Sequence, residues 1–179
     1  MLTNEHIDVL STTLETLLGR AEPGAMAYIR CLPPELVTAL ATAPAFAPSG
    51  WTVYRVADGS DASARTISAD QAVELRESKT EPVLLLVDTE RAGAGMDGIY
   101  SAAREIDEQS LFAEACRLAA KEVTKRCSRT ARHQAEQALR LVRRRNYHVT
   151  VPPWAEFDYL VRLAAHQCFP GTLLHLLGP

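Results

Sequence analysis

Gly93, Gly95 and Gly98 stand at the spacing G-x-G-x-x-G in Arg91-Ala-Gly-Ala-Gly-Met-Asp-Gly98. Such a loop can bring backbone N–H groups close to a pyrophosphate where a helix begins. Just before it, Asp88 ends the apolar run Pro82-Val-Leu-Leu-Leu-Val-Asp88. A carboxylate there suits a metal ion or a ribose hydroxyl, and Glu90, Asp97 and Glu105 follow close in sequence. The surroundings depart from the dinucleotide pattern. Thr89-Glu-Arg-Ala92 separates the run from the first glycine, and a helical stretch follows where a second strand should end in an acidic residue. Asp97 would repel a phosphate, although it suits the positive end of a helix as a cap. Two readings therefore stand side by side. Gly93, Gly95, Asp97, Gly98 and Asp88 form a ligand loop, or the glycines belong to a connector that needs positive φ or close packing.

Other catalytic constellations are not visible. There is no G-x-x-x-x-G-K-[ST] and no G-x-S-x-G, and no lysine completes a nuclease-type D…E-x-K set with Asp88 and the acids that follow it. His133 and His148 have no evident partners, and Cys31, Cys116, Cys127 and Cys168 never approach metal-ligand spacing. The expectation is a chain that brings no catalytic residue, metal or cofactor of its own, with its cysteines reduced.

The second chemical feature is electrostatic. Between Arg117 and Arg145 stand ten Lys and Arg against two Glu, a segment of +8 in a chain of −3, so the remainder carries −11. Lys121, Lys125, Arg129, Arg132, Arg140 and Arg143 recur at helical steps as one cationic stripe, while Val123, Cys127, Ala135, Ala138 and Val142 can face a core. Phosphate contacts require such a stripe. No aromatic residue interleaves to stack on bases, so a solvated face, or one docked on acidic surface, is the plainer alternative.

These residues need a scaffold. Thr3 or Asn4 can cap a first helix with Ile7, Leu10, Leu14, Leu17 and Leu18 on one side, ended by Gly19 and Pro23-Gly24. Residues 25–31, 51–56 and 82–88 read as strands. The last is apolar throughout, as a parallel strand covered on both faces would be. Pro33-Pro34 opens a short helix between the first two strands, and Ser68 with Gln71 makes a capping box for a helix over 69–77. From about Ile99 to Arg145 the chain reads as two or three helices broken near Asp107 and Thr130. Val149-Thr-Val-Pro-Pro153 interrupts it, and a helix over 154–167 follows. The pattern predicts an α/β fold: a small three-stranded, mostly parallel sheet flanked by helices, with a helical C-terminal part. The division is an α/β core over 1–110 and a helical extension over 111–179.

The chain of 179 residues suits one domain with a proper core. No apolar run approaches the roughly 20 residues of a membrane span, and Met1-Leu-Thr-Asn-Glu-His-Ile-Asp8 lacks a signal-peptide pattern. A cytoplasmic protein without membrane contact is expected. The apolar ending Phe169-Pro-Gly-Thr-Leu-Leu-His-Leu-Leu-Gly-Pro179 suggests a piece cut from a longer protein.

Leu75-Arg-Glu77, the apolar strand, and Arg91 to Ile106 together resemble the N-terminal region of large bacterial anti-phage defence ATPases. Phe157-Asp-Tyr-Leu160, Pro170-Gly171 and Leu176-Leu-Gly-Pro179 resemble the point where such proteins continue into further helices. The family includes proteins of phosphorothioation-dependent and methylation-associated restriction systems, with a HerA/FtsK-like motor far downstream. The resemblance implies an ATP-driven DNA-translocating or DNA-processing machine, and the preferred reading of this chain is a non-catalytic N-terminal interaction domain that recruits DNA or other subunits of the defence system. The motor's nucleotide motifs are absent here, so no catalytic residue is carried over. The competing reading is a small nucleotide-binding or metal-dependent sensor built on the loop 93–98.

Overall fold

The computed structural model describes residues 2–30, 32–46, 48–57, 65–78, 80–90, 92, 95–145 and 153–165, with backbone only for 135, 138, 139, 141–145 and 153. The chain divides into two compact units, Met1–Leu111 and Phe112–Pro179.

The first unit contains helix α1 (Asn4–Leu18), strand β1 (Met26–Ile29), helix α2 (Pro34–Thr42), strands β2 (Thr52–Val56) and β3 (Thr66–Ile67), and helix α3 (Ala69–Ser78). Strand β4 (Val83–Val87), the single-turn helix α4 (Asp97–Tyr100), strand β5 (Arg104–Glu105) and the start of α5 (Glu108–Arg126) follow. The strands form one sheet in the order β3-β2-β4-β1-β5 with every pairing parallel. The sequence predicts three strands, and the described residues form five. The two extra ones are two-residue edges with half-buried or exposed side chains, too short and too polar to show alternation. The short, charged edge β5 also discourages pairing with another chain. One of them, β5, falls in the stretch expected to be helical from Ile99. There the helix stops after one turn, and Ile106 donates its N–H to the Tyr28 carbonyl at 2.9 Å.

Val83-Leu-Leu-Leu-Val87 is buried at every position because both faces of β4 are covered. Tyr28, Val56, Val83, Leu85 and Val87 pack on one face with Ala69 and Ala72 of α3 and with Met96 and Ile99 around α4. Alternation sends Val53, Leu84 and Leu86 to the opposite face, where right-handed crossover places α2, which contacts β2 and β4. Local signals set the helix ends. In α1, Thr3 N donates to His6 Nδ1 at 3.2 Å, and Gly19 leaves the helix at φ 71°. For α3, Ser68 N donates to Gln71 Oε1 at 2.9 Å and Gln71 N to Ser68 Oγ at 3.2 Å, the predicted capping box.

Asp107 caps α5: its Oδ1 accepts the Ser110 N–H at 2.8 Å. Hydrogen bonds from Ser110 hold this carboxyl below its ordinary range. The depressed pKa means that the cap stabilises above the unfolded-state pKa and is lost as pH falls through the folded one. Asp107→Ala is expected to cost about 0.5–2 kcal/mol at neutral pH, read from chemical denaturation, with the difference vanishing in acid. An equal cost at both pH values would show that the cap's charge is not involved.

The second unit holds most of α5, helix α6 (Arg129–Arg145) and helix α7 (Pro153–Ala165). Phe112 and Phe157 are fully buried and pack with Trp154, their ring centroids 5.6–5.8 Å apart. The expected interruption at Val149–Pro153 lies largely outside the described residues.

Candidate functional site

The chain leaves β2 toward β3 and leaves β4 in the opposite direction toward β5, so the carboxyl ends of β2 and β4 form a topological switch point. Asp88 stands there. Its N–H continues the ladder to the Val56 carbonyl at 3.1 Å. Arg55 pairs in register with Leu86, so Asp88 is its diagonal neighbour. Arg55 Nη2 donates to Asp88 Oδ2 at 2.8 Å, with the side chains only 5% and 1% exposed. Asp88 Oδ1 has no hydrogen-bond partner among the described residues. The sequence places an acid at a strand end. The structure makes it half of a buried ion pair, because Arg55 lies on the covered face of an interior strand.

The described residues around the glycine loop go to the other side. Ala92, Met96 and Ile99 are buried in the cluster formed with Val83, Leu85 and Val87, opposite the face of Arg55 and Asp88. Gly95 has φ 129°, which a side chain rarely adopts. A Cβ there would stand 3.5 Å from Ala69 Cβ, an ordinary contact, so backbone conformation rather than space requires this glycine. Arg76 Nη1 donates to the Gly98 carbonyl at 2.7 Å and ties α4 to α3. Asp97 and Gly98 are exposed, and Gly93 lies outside the described residues. The helix that the loop enters is a single turn, whereas the sequence predicts a long one. It therefore offers little of the aligned dipole that binds a phosphate.

Glu105 does not approach Asp88, since β1 separates their strands. Its Oε2 accepts from Tyr28 Oη at 3.2 Å, and Arg30 Nε donates to its Oε1 at 2.6 Å. Arg30 lies over the Tyr100 ring at 5.5 Å, and the Tyr28 and Tyr100 centroids are 5.0 Å apart. Burial and then the Glu105 carboxylate push the Tyr28 phenol up. This cluster fastens edge strand β5 to β1. It was not legible in the sequence, because its members are up to 77 positions apart.

The cationic stripe spans two helices. The break at Cys127-Ser128 separates Lys121 and Lys125 on α5 from Arg129, Arg132, Arg140 and Arg143 on α6. Ser128 Oγ accepts the Ala131 N–H at 3.2 Å and starts α6. Lys121, Lys125, Arg129 and Arg140 are exposed, and the Arg143 side chain is outside the description. Lys125 Nζ pairs with Glu122 at 2.6 Å and holds that carboxyl below its ordinary range. Arg132 differs: it is half-buried, and its Nε is buried with no hydrogen-bond partner.

Among the described residues no group of three or more His, Cys, Asp or Glu could hold a metal ion, and no helix is long and apolar enough to cross a membrane. Cys116 and Cys127 are half-buried and not disulfide-bonded, and Cys31 and Cys168 lie outside the described residues. The class defined by these features is an α/β protein with a five-stranded parallel sheet flanked by helices. Comparison with protein-family models, curated proteins and solved structures finds no match to this chain.

Proposed function

We propose that this chain is a non-catalytic interaction domain of a bacterial anti-phage defence ATPase, acting in the cytoplasm to recruit DNA, or a partner subunit, to the motor. The carrying observation is the set of exposed cations Lys121, Arg129 and Arg140, none with an ion-pair partner among the described residues. They stand in a segment of +8 on a chain otherwise acidic. Unpaired surface cations gain most from phosphates, because binding releases condensed counterions. Two further facts support a binding role over a catalytic one. Asp88 is engaged by Arg55 beneath the surface, and Ala92, Met96 and Ile99 pack on the other face of the sheet.

Titration of the chain with fluorescent double- and single-stranded DNA is expected to give saturable binding. Affinity should fall about a thousandfold between roughly 50 and 200 mM salt, as about six phosphate contacts require. Arg129→Glu with Arg140→Glu should weaken it at both salt concentrations. Absence of saturable binding at low salt would remove DNA from the proposal and leave the partner subunit as the recruited species.

A further inference from the structure

Helices α5, α6 and α7 line a half-open cavity of about 330 Å³ within the second unit. This is at the small end of the range for small-molecule pockets, about 300–1,000 Å³. Ala120 and Val123 of α5 and Leu160 and Leu163 of α7 give it an apolar lining. Two charged side chains of α6, Arg132 and Glu136, also line it. They are one helical turn apart, a spacing at which opposite charges commonly pair. Here neither has an ion-pair partner among the described residues. The Arg132 Nε is buried without an acceptor. Other charges on the cavity wall are already engaged: Arg117 is bound by Glu114, and Glu156 has an interaction of its own.

The cavity thus offers one uncommitted cation and one uncommitted anion at the edge of an apolar pocket. A simple anion would satisfy Arg132 but meet Glu136, and a simple cation would do the reverse. A zwitterion with an apolar tail satisfies both. We infer that this three-helix cavity binds a free apolar α-amino acid. Its carboxylate accepts from Arg132, its ammonium group donates to Glu136, and its side chain lies against Val123, Leu160 and Leu163. The site is independent of the DNA-binding proposal, since Lys121, Arg129 and Arg140 take no part in it.

The test is calorimetric titration of the whole chain with L-leucine, L-methionine and L-phenylalanine. Controls are glycine, 4-methylpentanoate, which lacks the ammonium group, and 3-methylbutylamine, which lacks the carboxylate. At least one of the three apolar amino acids should bind saturably, and the preferred one should bind at least about tenfold more tightly than each control. Glu136→Gln, a change at an exposed position, should weaken that amino acid and strengthen 4-methylpentanoate, so that the two bind alike. Arg132→Gln should abolish both, with retained helical circular dichroism as the check on folding. Three results would overturn the inference. They are no saturable binding of any of the three up to about 10 mM, equal binding of 4-methylpentanoate, and indifference to Glu136→Gln.

Discussion

Asp88→Ala is expected to lower the unfolding free energy by about 3–5 kcal/mol, the usual cost of removing one partner from a buried ion pair. Arg55 Nη2 lies 2.8 Å from Asp88 Oδ2, and both side chains are almost completely withdrawn from water. Alanine takes away the Asp88 carboxylate, so the guanidinium, which keeps its other interactions, loses in an enclosed place the countercharge it meets at 2.8 Å. Asp88→Asn keeps the shape and an acceptor but removes the charge, so it should cost less than alanine. Against a typical total stability of about 5–15 kcal/mol, the alanine variant is close to unfolding. Urea denaturation of the three proteins measures the series. A loss below about 1 kcal/mol for alanine would mean that Arg55 reaches water or another acceptor at little cost.

Phe112→Ala should be comparably severe, at about 3–5 kcal/mol, with its effect centred on the helical unit. Phe112 is fully buried, and its ring meets Trp154 edge-on at 5.7 Å and Phe157 at 5.8 Å. Removing it deletes apolar burial and two aromatic contacts, and it leaves a void that neighbouring rings cannot fill without leaving their rotamers. Trp154 fluorescence reports the change directly, with Trp51→Phe as the background that removes the other tryptophan. The expected result is a lower denaturation midpoint at Trp154, whereas an unchanged midpoint would show that Phe112 contributes no packing to this unit.

Much of the scaffold was legible because its causes are local. The capping box at Ser68 and Gln71, the glycine exit of α1 and the proline start of α2 act through bonds within a few residues. The run Val83–Val87 declared a doubly covered strand by composition alone. Strands β3 and β5 were not legible, since a two-residue strand is defined only by the neighbour it pairs with. The same limit applied to the chemistry. Arg55 occupies a position in an alternating strand, and nothing nearby in sequence announces its pairing with Asp88, 33 positions away.

What the sequence determined by itself was the set of local conformational choices and the excess of positive charge between Arg117 and Arg145. Those follow from side-chain periodicity, capping and count, which need no partner. The tertiary structure alone decided which groups meet. It placed Asp88 and the described residues around the glycine loop on opposite faces of the sheet, divided the cationic stripe at Ser128, and turned Arg132 toward a cavity while Arg129 and Arg140 stayed in water. Burial and pairing are properties of distant segments brought together, so they appear only once the sheet order and the helix packing are known.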